Sequence, residues 1–135
     1  MALLSWTHAS TVGVKAMDDQ HGILMDAMNE LRLTLMNGNG HGHTGTQLEQ
    51  LIDFTRKHFQ SEERLLEQQN FPGLPAHRAA HQRFLTQIRQ AVDRAGRGEE
   101  TGSVPLISRL RALYLEHIEE FDRPYGQWLN ERGVY

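Results

Sequence analysis

Apolar residues recur along most of the chain three or four positions apart, which is the spacing of one face of an α-helix. Four stretches show this pattern, and they are residues 18–36, 46–69, 76–95 and 104–123. An amphipathic helix buries its apolar stripe by packing against others of its kind. Long stretches joined by short connections therefore predict an all-α fold, an antiparallel up-down-up-down four-helix bundle.

Three short breaks separate the predicted helices. Residues 37–45 ("NGNGHGHTG") and 96–103 ("GRGEETGS") are rich in glycine, which accepts turn conformations cheaply. Residues 70–75 ("NFPGLP") contain two prolines and a glycine, which stop one helix and admit the next. These breaks predict the loops of the bundle.

Individual residues indicate where the first predicted helix begins and where the last one kinks or stops. Asp18 or Asp19 can cap the first helix, because a carboxylate accepts the unpaired amide hydrogens of a helix start. Pro124 lacks a backbone N–H, so we expect the last helix to kink or stop close to Asp122.

The residues before the first helix form a separate segment. Residues 1–16 contain Trp6, Val12 and Val14, which indicate an arm laid against the bundle. We expect this arm and the bundle, residues 17–135, to form one domain over residues 1–135.

Composition excludes several classes of function. The absence of cysteine excludes disulfides, iron–sulfur clusters and thiolate metal ligands. A net charge of −3 gives no sign of nucleic-acid binding or of an anionic membrane as partner. The first residues lack the basic start of a signal peptide, and no stretch is apolar enough to span a membrane. We therefore expect a cytoplasmic protein.

The chain contains eight histidines, and five of them stand in four short motifs on the predicted helices, where four of the five are paired with a carboxylate or with each other. These residues are His21 in "MDDQH", His58 and Glu62 in "HFQSEE", His77 and His81 in "HRAAH", and His117 and Asp122 in "HIEEFD". Each pair alone is more often a solvated surface pair than a binding site. Taken together, the seven side chains come from all four predicted helices and interrupt apolar stripes.

The chemistry of these seven residues points to metal. Buried carboxylates need positive charge, and the same helix faces offer little lysine or arginine. Imidazole ligands suit iron, zinc, copper or nickel, whereas magnesium and calcium prefer oxygen. Seven ligands exceed one tetrahedral zinc site and suit two six-coordinate ions that share bridging ligands, with one coordination position left open.

His117 and Asp122 are five residues apart, although neighbours on one helix face are three or four apart. A local π-type widening of the helix would align positions i and i+5, and such bulges occur at functional sites. We therefore predict a π turn through residues 117–122.

In these motifs the chain resembles the hemerythrin family, particularly the single-domain bacteriohemerythrins. The match includes Trp6 and "VGV" (residues 12–14) and the four histidine motifs, in the family's order. The resemblance implies a non-haem di-iron centre with an oxo or hydroxo bridge. The ligands that it implies are His77, His81 and His117 on one iron, His21 and His58 on the other, and Glu62 and Asp122 as bridges.

The resemblance also implies reversible O2 binding at the open position of the iron that has two histidines. In the family, position 114 usually has a small aliphatic side chain that lines the O2 pocket, and position 113 often has tryptophan. The ligand pocket predicted here is Tyr114, Leu113, Phe59 and Met25. The alternative is that Tyr114 faces a helix interface with its hydroxyl bonded elsewhere.

Several functions are open to such a centre. The first is an O2 carrier or store that delivers O2 to an unidentified O2-consuming enzyme. A second is an O2 or redox sensor that a partner protein detects, and a third is a peroxidase or a nitric oxide-reducing enzyme. A structural metal site or an iron store is the least favoured of these functions. His8, His41 and His43 have no partner at ligand spacing, and we expect them to be exposed and incidental.

Overall fold

The computed structural model of the protein describes residues 11–36, 41–96 and 103–135. Its helices are α1 (Lys15–Met36), α2 (His41–Gln68), α3 (Leu74–Gly96), α4 (Ser103–His117) and α5 (Arg123–Asn130), with a π segment (Ile118–Asp122) between the last two. Each of the first four helices packs against its neighbour in the chain, and α1 also packs against α4. This closed arrangement confirms the predicted four-helix bundle. None of the described helices is long and apolar enough to cross a membrane.

The core lies between the four long helices and is filled by the stripes seen in the sequence. Met28 on α1, Leu66 on α2, Ile88 on α3 and Leu110 on α4 are completely buried. Burying a side chain of this size contributes about 1.5–3 kcal/mol each. The apolar stripes therefore fix which face of each helix points inward, and this decides which polar side chains are buried with them.

α2 begins earlier than predicted. The expected loop over residues 37–45 is wrong for residues 41–45, which are helical. Glycine costs a helix about 1 kcal/mol relative to alanine, but tertiary packing outweighs such preferences. The packing here comes from the next turns of α2, where Leu48, Leu51 and Ile52 are buried. The side chains of His8, His41 and His43 lie outside the described residues, so their exposure stays a prediction.

The last helix does not stop at Asp122, so the expected stop is wrong, and a π segment instead interrupts the regular α-helix over Ile118–Asp122. The N–H of Arg123 bonds to the carbonyl of Ile118, five residues earlier, and α5 then runs on to Asn130. Pro124, which has no backbone N–H to donate, stands in the first turn of α5, directly after the π segment. The π segment therefore lets the chain pass the proline and add two more turns to the bundle.

The N-terminal arm is held by the start of α1 and by α5. Val12 and Val14 are buried, and the amides of Val12 and Gly13 donate to the two carboxylate oxygens of Asp18 at 2.7 and 3.2 Å. Asn130 donates from Nδ2 to the carbonyl of Gly13 at 3.0 Å. Asp18 thus binds the arm rather than standing at the N-cap of α1, which begins three residues earlier at Lys15. Trp6 lies outside the described residues.

Gly126 of α5 lies close against the arm. A Cβ at this position would lie 2.0 Å from the carbonyl oxygen of Val12, so we expect Gly126→Ala to displace the arm and to cost about 2 kcal/mol or more. Gly22→Ala is a matched control, because a Cβ there meets nothing within 4 Å and alanine favours the helix. Urea denaturation of both variants checks this, and equal stabilities would contradict it.

Candidate metal centre

Five imidazoles and two carboxylates meet inside the bundle. The seven residues are His21, His58, Glu62, His77, His81, His117 and Asp122, and each is between 0% and 7% exposed. α1 supplies one, α2 two, α3 two, the end of α4 one and the π segment one. The structure thus brings together every side chain of the predicted ligand set in one buried cluster.

The cluster divides into two groups that share their carboxylates. One group is His77, His81 and His117 with Glu62 and Asp122, and the other is His21 and His58 with the same two carboxylates. Within each group the donor atoms lie no more than 4.8 Å apart. Three histidines on one side and two on the other is the division that the family resemblance implies. Metal binding by these residues remains a prediction.

Glu62 presents one oxygen to each group. Its Oε1 lies 2.5 Å from Nε2 of His77 and 3.0 Å from Nε2 of His81. Its Oε2 lies 3.4 Å from Nε2 of His58 and 3.9 Å from Nε2 of His21. A carboxylate that bridges two ions needs its oxygens divided in this way.

Asp122 divides its oxygens in the same sense. Its Oδ1 lies 3.3 Å from Nε2 of both His77 and His117, and its Oδ2 lies 3.2 Å from Nε2 of His21. The π segment makes this possible, because it brings Asp122 into the cluster beside His117 despite the spacing of five. The predicted π turn is confirmed over Ile118–Asp122.

The carboxylates raise the proton affinity of two histidines, His77 and His21. Burial disfavours the charged form of His77, but Asp122 and Glu62 outweigh it and raise the pKa of His77 to about 9. The pKa of His21 is also raised, because the same two carboxylates outweigh its burial. Without metal, protons supply the positive charge that the buried carboxylates require.

Both carboxylates stay ionised despite complete burial. Burial opposes ionisation of Glu62, but hydrogen bonds from the imidazoles outweigh it and lower its pKa well below the usual range. Burial and the charge of Glu62 oppose ionisation of Asp122, but attraction to the surrounding imidazoles, His117 first, lowers the pKa of Asp122. Two buried negative charges at the centre of five nitrogens favour a bound cation.

The residues present fit a metal pair. Both oxygens of Asp122 and Nε2 of His117 are buried and have no hydrogen bond in the described structure, although they lie 3.3 Å or less from a donor or acceptor. No lysine or arginine is among the buried residues in the described ranges. Buried polar atoms without hydrogen bonds call for another partner, and nitrogen and oxygen donors of this kind suit iron or zinc.

Three supporting residues were missed in the sequence. Tyr125 donates from its hydroxyl to Oε2 of Glu62 at 2.9 Å, Gln20 accepts from Nδ1 of His58, and Glu63 accepts from Nδ1 of His81. Gln20 and Glu63 adjoin ligands in the sequence, which is a weak signal. Tyr125 follows Pro124, beyond the expected end of the helix.

The four predicted pocket residues differ in how deeply they are buried. Tyr114, Phe59 and Met25 are buried, and Phe59 stacks on His81 at 3.7 Å between ring centroids. Leu113 is half-buried and lines a surface groove between α3 and α4 beside His117. Leu113 is therefore placed at the edge of the centre, and the pocket role of all four residues remains a prediction.

The hydroxyl of Tyr114 has a partner outside the centre. It hydrogen-bonds to Thr55 of α2, and Thr55 in turn donates to the carbonyl of Leu51 at 2.7 Å. Because the threonine proton is committed, Tyr114 is the donor of the first bond. Burial raises the pKa of Tyr114, which keeps the phenol neutral. These hydrogen bonds support the alternative interpretation of Tyr114, in which its hydroxyl is bonded elsewhere across a helix interface.

Known proteins are similar to this chain in sequence and in fold. A profile of the Hemerythrin HHE cation binding domain matches residues 12–129. Bacteriohemerythrin from Methylococcus capsulatus is 31% identical over 131 residues, 96% of this chain and 99% of the relative. Myohemerythrin from Sipunculus nudus is 27% identical over 123 residues, 89% of this chain and 88% of that one. A crystal structure of wild-type hemerythrin matches with a TM-score of 0.81 and 30% identity, covering 93% of this chain and 97% of the other.

Proposed function

Because this chain belongs to the hemerythrin family, we propose that it binds O2 reversibly at a pair of non-haem iron ions held inside the bundle. One observation supports this most directly: each carboxylate gives one oxygen to a group of three histidines and the other to a group of two. Two ions held by these residues would have unequal numbers of protein ligands. The side of His21 and His58 then keeps an open position for O2.

The seven residues of the centre would have the following roles. His77, His81 and His117 hold one ion, His21 and His58 hold the other, and Glu62 and Asp122 bridge them. When bound, a ferrous pair supplies the two electrons that O2 takes up and returns. The hydrogen bond from Tyr125 to Glu62 holds that carboxylate in its bridging orientation.

The surroundings favour release of intact O2 over its reduction. Phe59 stacks on His81 and lies edge-on to Phe84, and both rings contact His117. Phe59 is buried and also contacts His58 of the two-histidine group, with ring centroids 5.7 Å apart. An apolar ring beside the side that would keep the open position limits the supply of water and protons there. We infer that the chain carries or stores O2 for an O2-consuming enzyme.

The environment of Tyr114 argues against a peroxidase. A phenol that donates a hydrogen atom or an electron to a bound oxidant must reach it, whereas this hydroxyl donates to Thr55. Its neutral, buried state also removes the easily oxidised phenolate. These contacts support the carrier function over enzymatic turnover.

The function is tested on the full chain reconstituted anaerobically with ferrous iron. We expect two irons per chain, and an absorption band that appears with O2 and disappears when O2 is removed under vacuum, over repeated cycles. Immediate conversion to a ferric form that no longer releases O2 would contradict reversible binding. Binding of metal with no spectral response to O2 would instead indicate a structural site.

Tyr114 and Thr55 give a prediction about stability. Tyr114→Phe removes one donor and leaves Thr55 bonded to Leu51, so we expect a loss of about 1 kcal/mol. Thr55→Val leaves a buried phenol without its acceptor and should cost more, about 2 kcal/mol, with part recovered in the double variant. Denaturation curves measure these losses. O2 release and autoxidation should be unchanged in Tyr114→Phe; a severalfold change would place the hydroxyl in the O2 chemistry.

A further inference from the structure

Two histidines of the centre are supported from outside by different chemical groups. Nδ1 of His81 lies 2.7 Å from a carboxylate oxygen of Glu63, and Nδ1 of His58 lies 2.5 Å from the amide oxygen of Gln20. The Nε2 atoms of both rings point to Glu62 at the centre, at 3.0 and 3.4 Å. An imidazole that donates through Nδ1 keeps the lone pair of Nε2 for a metal. Both supports therefore select the metal-binding tautomer.

Each supporting side chain is itself fixed in orientation. Oε1 of Glu63 accepts from Nε of Arg78 at 3.2 Å, and Arg78 also donates to Glu67 at 3.2 Å. The amide of Gln20 donates to Ser61 at 3.3 Å, which turns its oxygen toward His58. Neither support depends on a freely rotating side chain.

The two supports differ in charge, and they serve different groups of the centre. His81 belongs to the group of three histidines and His58 to the group of two. A carboxylate acceptor forms the stronger, charge-assisted hydrogen bond and makes the imidazole a better electron donor than an amide acceptor does. The charged acceptor, Glu63, thus supports a histidine of the group that already has more ligands.

We propose that Glu63 and Gln20 are positioning residues that make the two metal positions unequal, with Glu63 tightening the three-histidine side and Gln20 leaving the two-histidine side more weakly held. The proposal rests on the metal centre of the proposed function. It goes further by assigning the inequality to two residues that do not touch metal. The chain would then keep one ion firmly and hold the ion with the open position less firmly.

The test follows release of Co²⁺ from the full chain after addition of excess chelator, without O2. We expect the parent chain to bind two equivalents and to release them in a fast and a slow phase. His77→Ala should lack the slow phase, which assigns it to the three-histidine side. Glu63→Gln should speed the slow phase by about 10- to 100-fold and leave the fast phase unchanged.

The reciprocal variant is Gln20→Glu, which should slow the fast phase by about tenfold, since it places a carboxylate behind His58. It keeps the proposal testable if Glu63→Gln folds poorly. Glu67→Gln is the matched control, because it removes an exposed carboxylate at the outer end of the same chain of hydrogen bonds and should change neither phase.

A general loosening of the fold would speed both phases together and lower the urea midpoint of the metal-free protein. If Glu63→Gln did this, or left the slow phase unchanged, or if Gln20→Glu left the fast phase unchanged, the proposal would be overturned. A parent chain that bound fewer than two equivalents would overturn the proposed function, and this inference with it. Two equivalents released at rates that both variants leave unchanged would overturn this inference alone.

Discussion

Asp122→Asn should abolish binding of the metal pair, lowering affinity at both positions by at least about 100-fold. The reason is that Asp122 gives Oδ1 to the three-histidine group and Oδ2 to the two-histidine group. An asparagine has the same shape, but its amide nitrogen cannot ligate and its side chain is neutral. Iron content per chain and the absorption spectrum after reconstitution measure the loss. Glu119→Gln is the control, an exposed carboxylate in the same π segment.

His77→Ala should act on one side only. His77 belongs to the three-histidine group alone, so the variant should lose the ion on that side and keep most of the other. If it retained two irons per chain with an unchanged spectrum, the assignment of ligands would be wrong. If Asp122→Asn and His77→Ala lost the same single ion, Asp122 would be a ligand to one metal and not a bridge.

The metal-free and metal-loaded proteins should respond to pH in opposite directions. The pKa of His77 is raised to about 9 by Asp122 and Glu62, against a usual value of 6.5. A histidine whose pKa is raised by folding stabilises the fold fully below its unfolded pKa and loses that contribution as pH rises through the folded pKa. The metal-free protein should therefore lose up to about 3 kcal/mol between pH 6.5 and 9.

The two buried carboxylates determine how the stability of the metal-free protein falls at acidic pH. The pKa values of Glu62 and Asp122 are lowered in the folded chain, so their contribution is present above pH 4 to 5, where the unfolded groups ionise, and is lost on acidification. Stability of the metal-free protein should thus be greatest between about pH 5 and 6.5.

Metal binding should reverse the loss of stability that the metal-free protein shows as pH rises. Histidine must release its proton to bind an ion, so metal affinity rises with pH over the range in which the metal-free fold weakens. A metal concentration 100 times the dissociation constant adds about 2.7 kcal/mol. Urea midpoints from pH 5 to 9, with chelator and with Co²⁺, should therefore diverge as pH rises. His77→Gln should flatten the metal-free curve above pH 6.5; parallel curves with and without metal would contradict the account.

The four helices and the seven polar residues buried between them could be predicted from the sequence. A stripe of apolar residues is a local pattern, and it fixes the inward face of a helix whatever its neighbours are. Because His21, His58, His77 and His117 stand on those faces, their meeting inside the bundle could be predicted. The spacing of five between His117 and Asp122 even indicated the π turn, since a regular helix would have separated them.

The support of the centre and the end of the last helix could not be predicted in this way, because both depend on tertiary packing. Tyr125 reaches Glu62 because α5 follows the π segment and continues past Pro124, which could not be predicted from the presence of proline alone. Thr55 and Tyr114 share a hydrogen bond across 59 positions of sequence. The division of each carboxylate between two groups depends on distances of a few ångströms between helices. Such contacts arise from packing of distant segments, and periodicity along one segment contains no information about them.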